Sequence, residues 1–188
     1  SVYDQYFDLV IVTWWKSVYE LENLRFSRVL YFVQSLETRF ALNYGDIYDE
    51  ALAAATYTVG LPMVVVASWL QNLLISTSGK PAWFLPNGID ETLFPYDPRS
   101  RDRNSNPRLR VLVEGVPGIP MKAVDETLEL CAEIPGVELW HVTPQPGTAS
   151  PIAARTFERV TISEMSEIYS QVDVLVKLSR VEGMFAPP

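Results

Sequence analysis

The chain has 188 residues, 48% hydrophobic and 20% charged, which is enough apolar material for a packed core and too little charge for disorder. A net charge of -8 speaks against nucleic acid, whose phosphates need clustered Lys and Arg, and against a broad basic membrane face. The single cysteine, Cys131, cannot close an internal disulfide and points to a reducing compartment, and no apolar run reaches the ~20 residues of a bilayer span. The N-terminus has neither an initiator methionine nor a basic-then-apolar signal, and both ends read as cut edges of a longer protein.

In chain order, Phe7 to Thr13 is a near-continuous apolar run, the pattern of a strand buried on both faces. Trp14 and Trp15 follow it, and core packing is their plainer use. Val29 to Val33 repeats the strand character and leads into Gln34-Ser35-Leu36-Glu37. In open parallel sheets ligands bind beyond the carboxyl ends of strands, so Gln34 and Glu37 are candidate cleft residues. A helix is expected over 46–59, with Asp46 as its cap and Gly60 and Pro62 as its stop. Pro62 to Ala67 is a third strand, Trp69 to Leu74 a helix and Trp83 to Leu85 a short strand. This strict alternation predicts a parallel sheet with helical crossovers.

Pro86-Asn87-Gly88-Ile89-Asp90 then marks a turn at the joint between two runs of alternation, and Asn87 is a third candidate cleft residue. Residues 96–108 hold Pro98, Pro107, Asn104-Ser105-Asn106 and interleaved Arg and Asp, the composition of a solvated connector.

The alternation restarts with a strand at Leu109 to Val113. Next comes the loop Glu114-Gly115-Val116-Pro117-Gly118-Ile119-Pro120, followed by a helix expected over Met121 to Ile134. With Pro120 at the first helical position and Lys122 in the first turn, that junction has the makings of a phosphate site, because helix N-termini offer unpaired N–H groups and a positive dipole end. A plain strand-to-helix turn with an exposed lysine is the alternative. Val137 to Val142 is another strand. Thr161 with Glu164 is a capping box opening a helix with the stripe Met165, Ile168, Tyr169 and Val172, and Val174 to Leu178 is the last strand.

Other chemistries fail on residue content. His141 is the only histidine and lies within an apolar strand, where a packed role is expected. There is no zinc-ligand spacing, no Ser/His/Asp arrangement for acyl transfer, no Gly-x-Gly-x-x-Gly and no Asp-x-Asp, so no catalytic metal is expected.

Three anchors together resemble the family 4 glycosyltransferases: the Pro-Asn-Gly-Ile-Asp joint, Gly115 with Lys122, and Glu182-Gly183-Met184-Phe185-Ala186-Pro187. The family's Gly-Arg is followed six residues later by lysine. Here Gly115 and Lys122 keep the spacing while Val116 stands at the arginine position, which leaves Lys122 and backbone amides to carry more of the grip on a diphosphate. The Glu182 loop is similar to the family's Glu-Gly-Phe-Gly-Leu-Pro, and the segment around Gln34 resembles one in rhamnosyl-transferring members. A second family glutamate, eight positions after the first, would fall two residues past Pro188.

The resemblance implies an α/β fold of two Rossmann-like lobes of the GT-B type, both truncated. Residues 1–95 would end the acceptor-side lobe, 96–108 would link, and 109–188 would begin the nucleotide-sugar-binding lobe. It implies a retaining, metal-independent transfer of a hexose or deoxyhexose from a nucleoside diphosphate sugar to a glycan or lipid-linked acceptor, in cytoplasmic polysaccharide biosynthesis, with the protein free or at the membrane periphery. No cofactor is implied beyond the donor itself. Glu182 would be catalytic, and Gly115, Gly118, Lys122, Val160 and Gly183 would hold the donor. The other reading of the same pattern is a non-catalytic module of two α/β lobes that binds a ligand and turns nothing over.

Overall fold

The computed structural model describes residues 1–43, 47–95 and 108–184. Asp46, the connector residues 96–107 and residues 185–188 at the end of the Glu182 motif lie outside the described residues. The chain divides into two compact units, one of residues 1–88 together with 181–184, the other of residues 89–180. Among the described residues no helix is long and apolar enough to cross a membrane.

The first unit is a four-stranded parallel sheet in the order β1-β2-β3-β4, with β1 Tyr6–Val12, β2 Arg25–Val33, β3 Met63–Val65 and β4 Ala82–Phe84. The crossovers are helical: α1 Trp15–Tyr19 between β1 and β2, α2 Thr38–Asn43 and α3 Ile47–Thr56 between β2 and β3, and α4 Ser68–Ser78 between β3 and β4. The core gathers Val12, Tyr31, Val33, Met63, Val65, Leu70 and Leu74. Alternation in β2 turns Tyr31 and Val33 fully inward.

Three local expectations change. The strand read as buried on both faces is an edge strand, with Leu9 and Ile11 about half exposed at 47% and 52%. Among the described residues β1 pairs with β2 alone, and an unbroken apolar run does not tell which face of such an outermost strand is covered. The helix expected over Trp69 to Leu74 runs from Ser68 to Ser78, where Ser76, Thr77 and Ser78 hydroxyls bond back to the Leu73 and Leu74 carbonyls before Gly79 closes it in the left-handed region at φ 65°. At the joint, Pro86 to Asp90 forms no turn. The turn comes afterwards, where Leu93 and Phe94 amides donate to the Asp90 carbonyl and Thr92 donates through both its amide and its hydroxyl to the Asp90 carboxylate. The Thr92 bonds hold that exposed carboxyl below its usual pKa.

The second unit is a parallel sheet in the order β7-β6-β5-β8, with β5 Leu109–Glu114, β6 Val137–Thr143, β7 Arg155–Glu158 and β8 Val174–Val176. Helix α5 Val124–Ala132 links β5 to β6, and α6 Ile162–Gln171 links β7 to β8. Both faces are covered. Val111, Val113 and Leu139 meet Val124, Leu128 and Cys131 of α5. Leu112, Trp140 and Val142 meet Ile168, Met165, Tyr169 and Val172 of the α6 side. The capping box is present: Glu164 N–H donates to Thr161 Oγ1 at 3.3 Å and Thr161 N–H to Glu164 Oε2 at 2.6 Å.

The strand order reverses between β5 and β8. β6 and β7 build outward on one side of β5, whereas β8 is placed on the other. In open parallel sheets such a switch point is where a ligand crevice lies, outside the carboxyl ends of the two strands.

Candidate functional site

In the second unit the loop after β5 and the chain after β8 meet at this switch point. Ser179 Oγ donates to the Lys122 carbonyl at 3.4 Å, Arg180 N–H to the Met121 carbonyl at 2.8 Å, and the Arg180 guanidinium to the Pro120 carbonyl. Arg180 also grips the Glu126 carboxylate through one nitrogen, at 2.8 Å to Oε2. A cavity of about 290 Å³ lies here, walled by Gly118, Ala123, Asp125, Glu126 and Arg180 among others.

Gly115 is fixed on every side. Its N–H donates to the Val142 carbonyl at 2.9 Å and its carbonyl faces His141 Nε2 at 3.0 Å. Its φ is 137°, and a Cβ there would lie 2.7 Å from Val124 Cγ2, so only glycine lets α5 pack against the end of β5. Gly118 has φ 77°, and its N–H donates to Asp125 Oδ2 at 2.6 Å. That carboxylate at the helix start already supplies an anion to the loop.

The helix does not begin where its sequence suggests. Pro120 to Ala123 form a turn closed by Lys122 and Ala123 amides onto the Ile119 carbonyl, Ala123 adopts φ 51°, and α5 starts at Val124. Pro120 is therefore not the first helical residue, and Lys122 stands two residues ahead of the helix, half-buried. Val160 is half-buried on the α6 side, just after Arg159 at φ 53°. Tyr169 donates to Glu114 Oε2 at 3.0 Å at the end of β5, and burial with the neighbouring Glu114 raises its phenol pKa.

In the first unit the carboxyl edge of the sheet brings together Gln34 and Gly183, two residues proposed for the site on separate grounds. A Cβ on Gly183 would overlap the Gln34 carbonyl carbon and oxygen. Trp69, near the start of α4, donates its indole N–H to the Gly183 carbonyl at 2.8 Å. The Gln34 side chain reaches the Thr13 carbonyl at 3.4 Å, and Glu182 is half-buried next to Gly183. Asn87 is exposed beyond β4.

Glu37 has turned inward and is only 6% exposed. Its Oε2 accepts the Tyr31 hydroxyl at 2.7 Å and the Trp15 N–H at 3.0 Å, while its own N–H donates to the Tyr57 hydroxyl at 3.0 Å. Burial pushes the Glu37 carboxyl pKa up, against the opposing pull of the Tyr31 and Trp15 bonds. Burial likewise raises the pKa of both Tyr31 and Tyr57. The tryptophan pair splits: Trp15 is buried, while Trp14 stands 50% exposed with the Lys16 ammonium 5.4 Å from its ring centre.

Two residues escape sequence reasoning. Arg180 had a signal, a cation two residues before Glu182. Trp69 had none, because nothing in a helical tryptophan foretells a partner 114 residues away.

No family model matches the chain, and comparison with curated proteins finds no match. Solved structures do match. Sucrose-phosphate synthase from Thermosynechococcus elongatus superposes with a TM-score of 0.74 at 16% identity, over 95% of this chain and 52% of that one. Anabaena HepE in complex with UDP-glucose matches with a TM-score of 0.65 at 12% identity, over 92% of this chain and 53% of that one. HepE in complex with UDP and glucose gives 0.62 at 13% identity, over 92% and 52%. The chain thus spans about half the length of these structures. At such identities the likeness concerns architecture, and the architecture is α/β with two parallel sheets, of the GT-B type.

Proposed function

We propose that this chain forms part of a retaining, family 4-like glycosyltransferase that moves a hexose or deoxyhexose from a nucleoside diphosphate sugar to a glycan or lipid-linked acceptor. In this reading residues 1–95 form the acceptor side and the donor side starts at residue 109. Lys122 takes the diphosphate beside the Gly115–Gly118 loop, whose Gly115 and Gly118 amides are already engaged by Val142 and Asp125, Val160 lies by the nucleobase, and Glu182 with the Gly183 backbone faces the transferred sugar. Gln34 and Asn87 border the acceptor.

The main chemistry is stabilisation of the departing diphosphate by fixed donors, so that no metal or further cofactor is needed. The setting is cytoplasmic polysaccharide assembly, with the enzyme free or at the membrane periphery, and the segment around Gln34 resembles one in rhamnosyl-transferring members.

One observation supports this reading above the rest. Both sheets match, over 92% of the chain, a protein whose structures hold UDP-glucose and UDP, and the switch point between β5 and β8 is where such a fold presents its ligand crevice. Calorimetric titration with UDP and UDP-glucose tests it. Saturable binding of a nucleoside diphosphate is expected, and heat-silent titrations across uridine, guanosine and thymidine diphosphates would refute it.

A further inference from the structure

The Glu182 loop is held by a residue far from it in sequence, and the chemistry of that residue is specific. Trp69 is 42% exposed, so burial alone does not place its ring. Its one polar group, the indole N–H, can only donate, and it donates to the Gly183 carbonyl at 2.8 Å. On its other side Gly183 is pressed against the Gln34 backbone so closely that no side chain fits, and the Cβ of any residue there would also reach within 3.1 Å of Ser35 Cα. Gly183 is therefore clamped between a steric stop and a hydrogen-bond donor, both belonging to the first unit. The stop sets how near the chain comes; the donor sets the tilt of the peptide that follows. Glu182 is the adjoining residue, so its Cα and the direction of its side chain inherit both restraints.

We propose that Trp69 is a positioning residue for the Glu182 loop, acting through its hydrogen bond to the Gly183 carbonyl. The inference rests on the reading of Glu182 given above and adds to it a residue outside the motif. A ring needed only for contact could be Phe; the indole nitrogen is what makes tryptophan the fitting residue here. Loss of this donor lifts the restraint on the tilt of the Gly183 peptide while the stop against Gln34 stays, and misplacement by about 1 Å costs up to roughly a hundredfold when a group must meet a reacting atom.

The test is Trp69→Phe, read by amide hydrogen exchange over residues 181–184, by turnover of UDP-glucose and by the midpoint of thermal unfolding. Exchange at the Gly183 and Met184 amides should quicken about tenfold, with the unfolding midpoint in place because the residue is half-exposed. Turnover should fall by a similar factor at unchanged UDP affinity, and Gly183→Ala should reproduce the loss. A merely structural role would move the midpoint and not divide turnover from affinity. Unchanged exchange or unchanged turnover in Trp69→Phe overturns the proposal. Glu182→Gln run alongside keeps the two ideas apart: if it is inactive the glycosyltransferase reading stands without Trp69, and if it turns over normally the assignment of the loop falls as well.

Discussion

The imidazole of His141 meets the carbonyl of Gly115 at 3.0 Å, bridging the middle of one strand to the loop that follows its neighbour. His141 is fully buried, and its Nδ1 has no hydrogen-bond partner among the described residues. All of its polar bonding is thus directed at the loop. The backbone bond from Gly115 to Val142 lies next to it, so one edge of β6 fixes both polar groups of a single glycine. The only histidine is packed, as an apolar strand suggests, and its packing secures the candidate donor loop.

That rigidity makes Gly115→Ala costly. The new methyl would lie 2.7 Å from Val124 Cγ2 at φ 137°, a conformation L side chains rarely adopt. We expect a loss of about 1–3 kcal/mol in urea-induced unfolding, from overpacking and backbone strain together. A denaturation midpoint equal to that of the wild type would show that the β5–α5 junction yields freely.

Lys122→Ala should weaken binding of UDP by roughly 1.5–3 kcal/mol, the range for a hydrogen bond to a charged group. Val116 at the family's arginine position removes one source of redundancy, which favours the upper part of that range. Isothermal titration measures it directly, and equal affinity in the two proteins takes Lys122 out of the site.

Glu37 predicts a pH signature in stability. Burial raises its carboxyl pKa in the folded state, so between the unfolded glutamate value of about 4.3 and that raised value the folded chain holds more protons than the unfolded one. Stability from this group is then greatest below the unfolded pKa and is lost as pH rises through the folded pKa. Glu37→Gln keeps an oxygen to accept from Tyr31 and Trp15 and removes the titration. Its unfolding free energy relative to wild type should improve steadily as pH climbs above about 4.3 and then level off. A difference that stays flat from pH 4 to 8 would contradict the buried acid.

Much of the architecture is legible in the residues. The alternation of apolar runs with helical stripes yields the two parallel sheets, and Thr161 with Glu164 marks the start of α6 to the residue. Such local signals survive because backbone hydrogen bonding and period are decided within a few residues. The losses are where a distant partner decides. Leu9 and Ile11 look like core until the sheet order makes β1 an edge. Pro120 suits a first helical position, but the chain turns once more and Ala123 takes the left-handed conformation before α5 begins. Glu37 reads as an open polar residue after a strand, whereas two tyrosines and the Trp15 amide draw it inward. Glycine spacing places Gly115, yet only packing shows that Asp125 already engages the Gly118 amide.

Because residues 181–184 belong with residues 1–88, the first unit is not a contiguous stretch of chain. A ribosome delivers the β1–β4 sheet long before it delivers Gly183, and the Trp69 indole must wait through 114 residues of synthesis for its acceptor. The contact between this loop and the carboxyl edge of the sheet can therefore be made only after the second unit has been synthesised. Closure over such a span adds little entropy per extra residue but delays the event in time. Interruption of synthesis within the second unit would leave the first without Gly183, and so without the backbone that packs against Gln34 and accepts from Trp69.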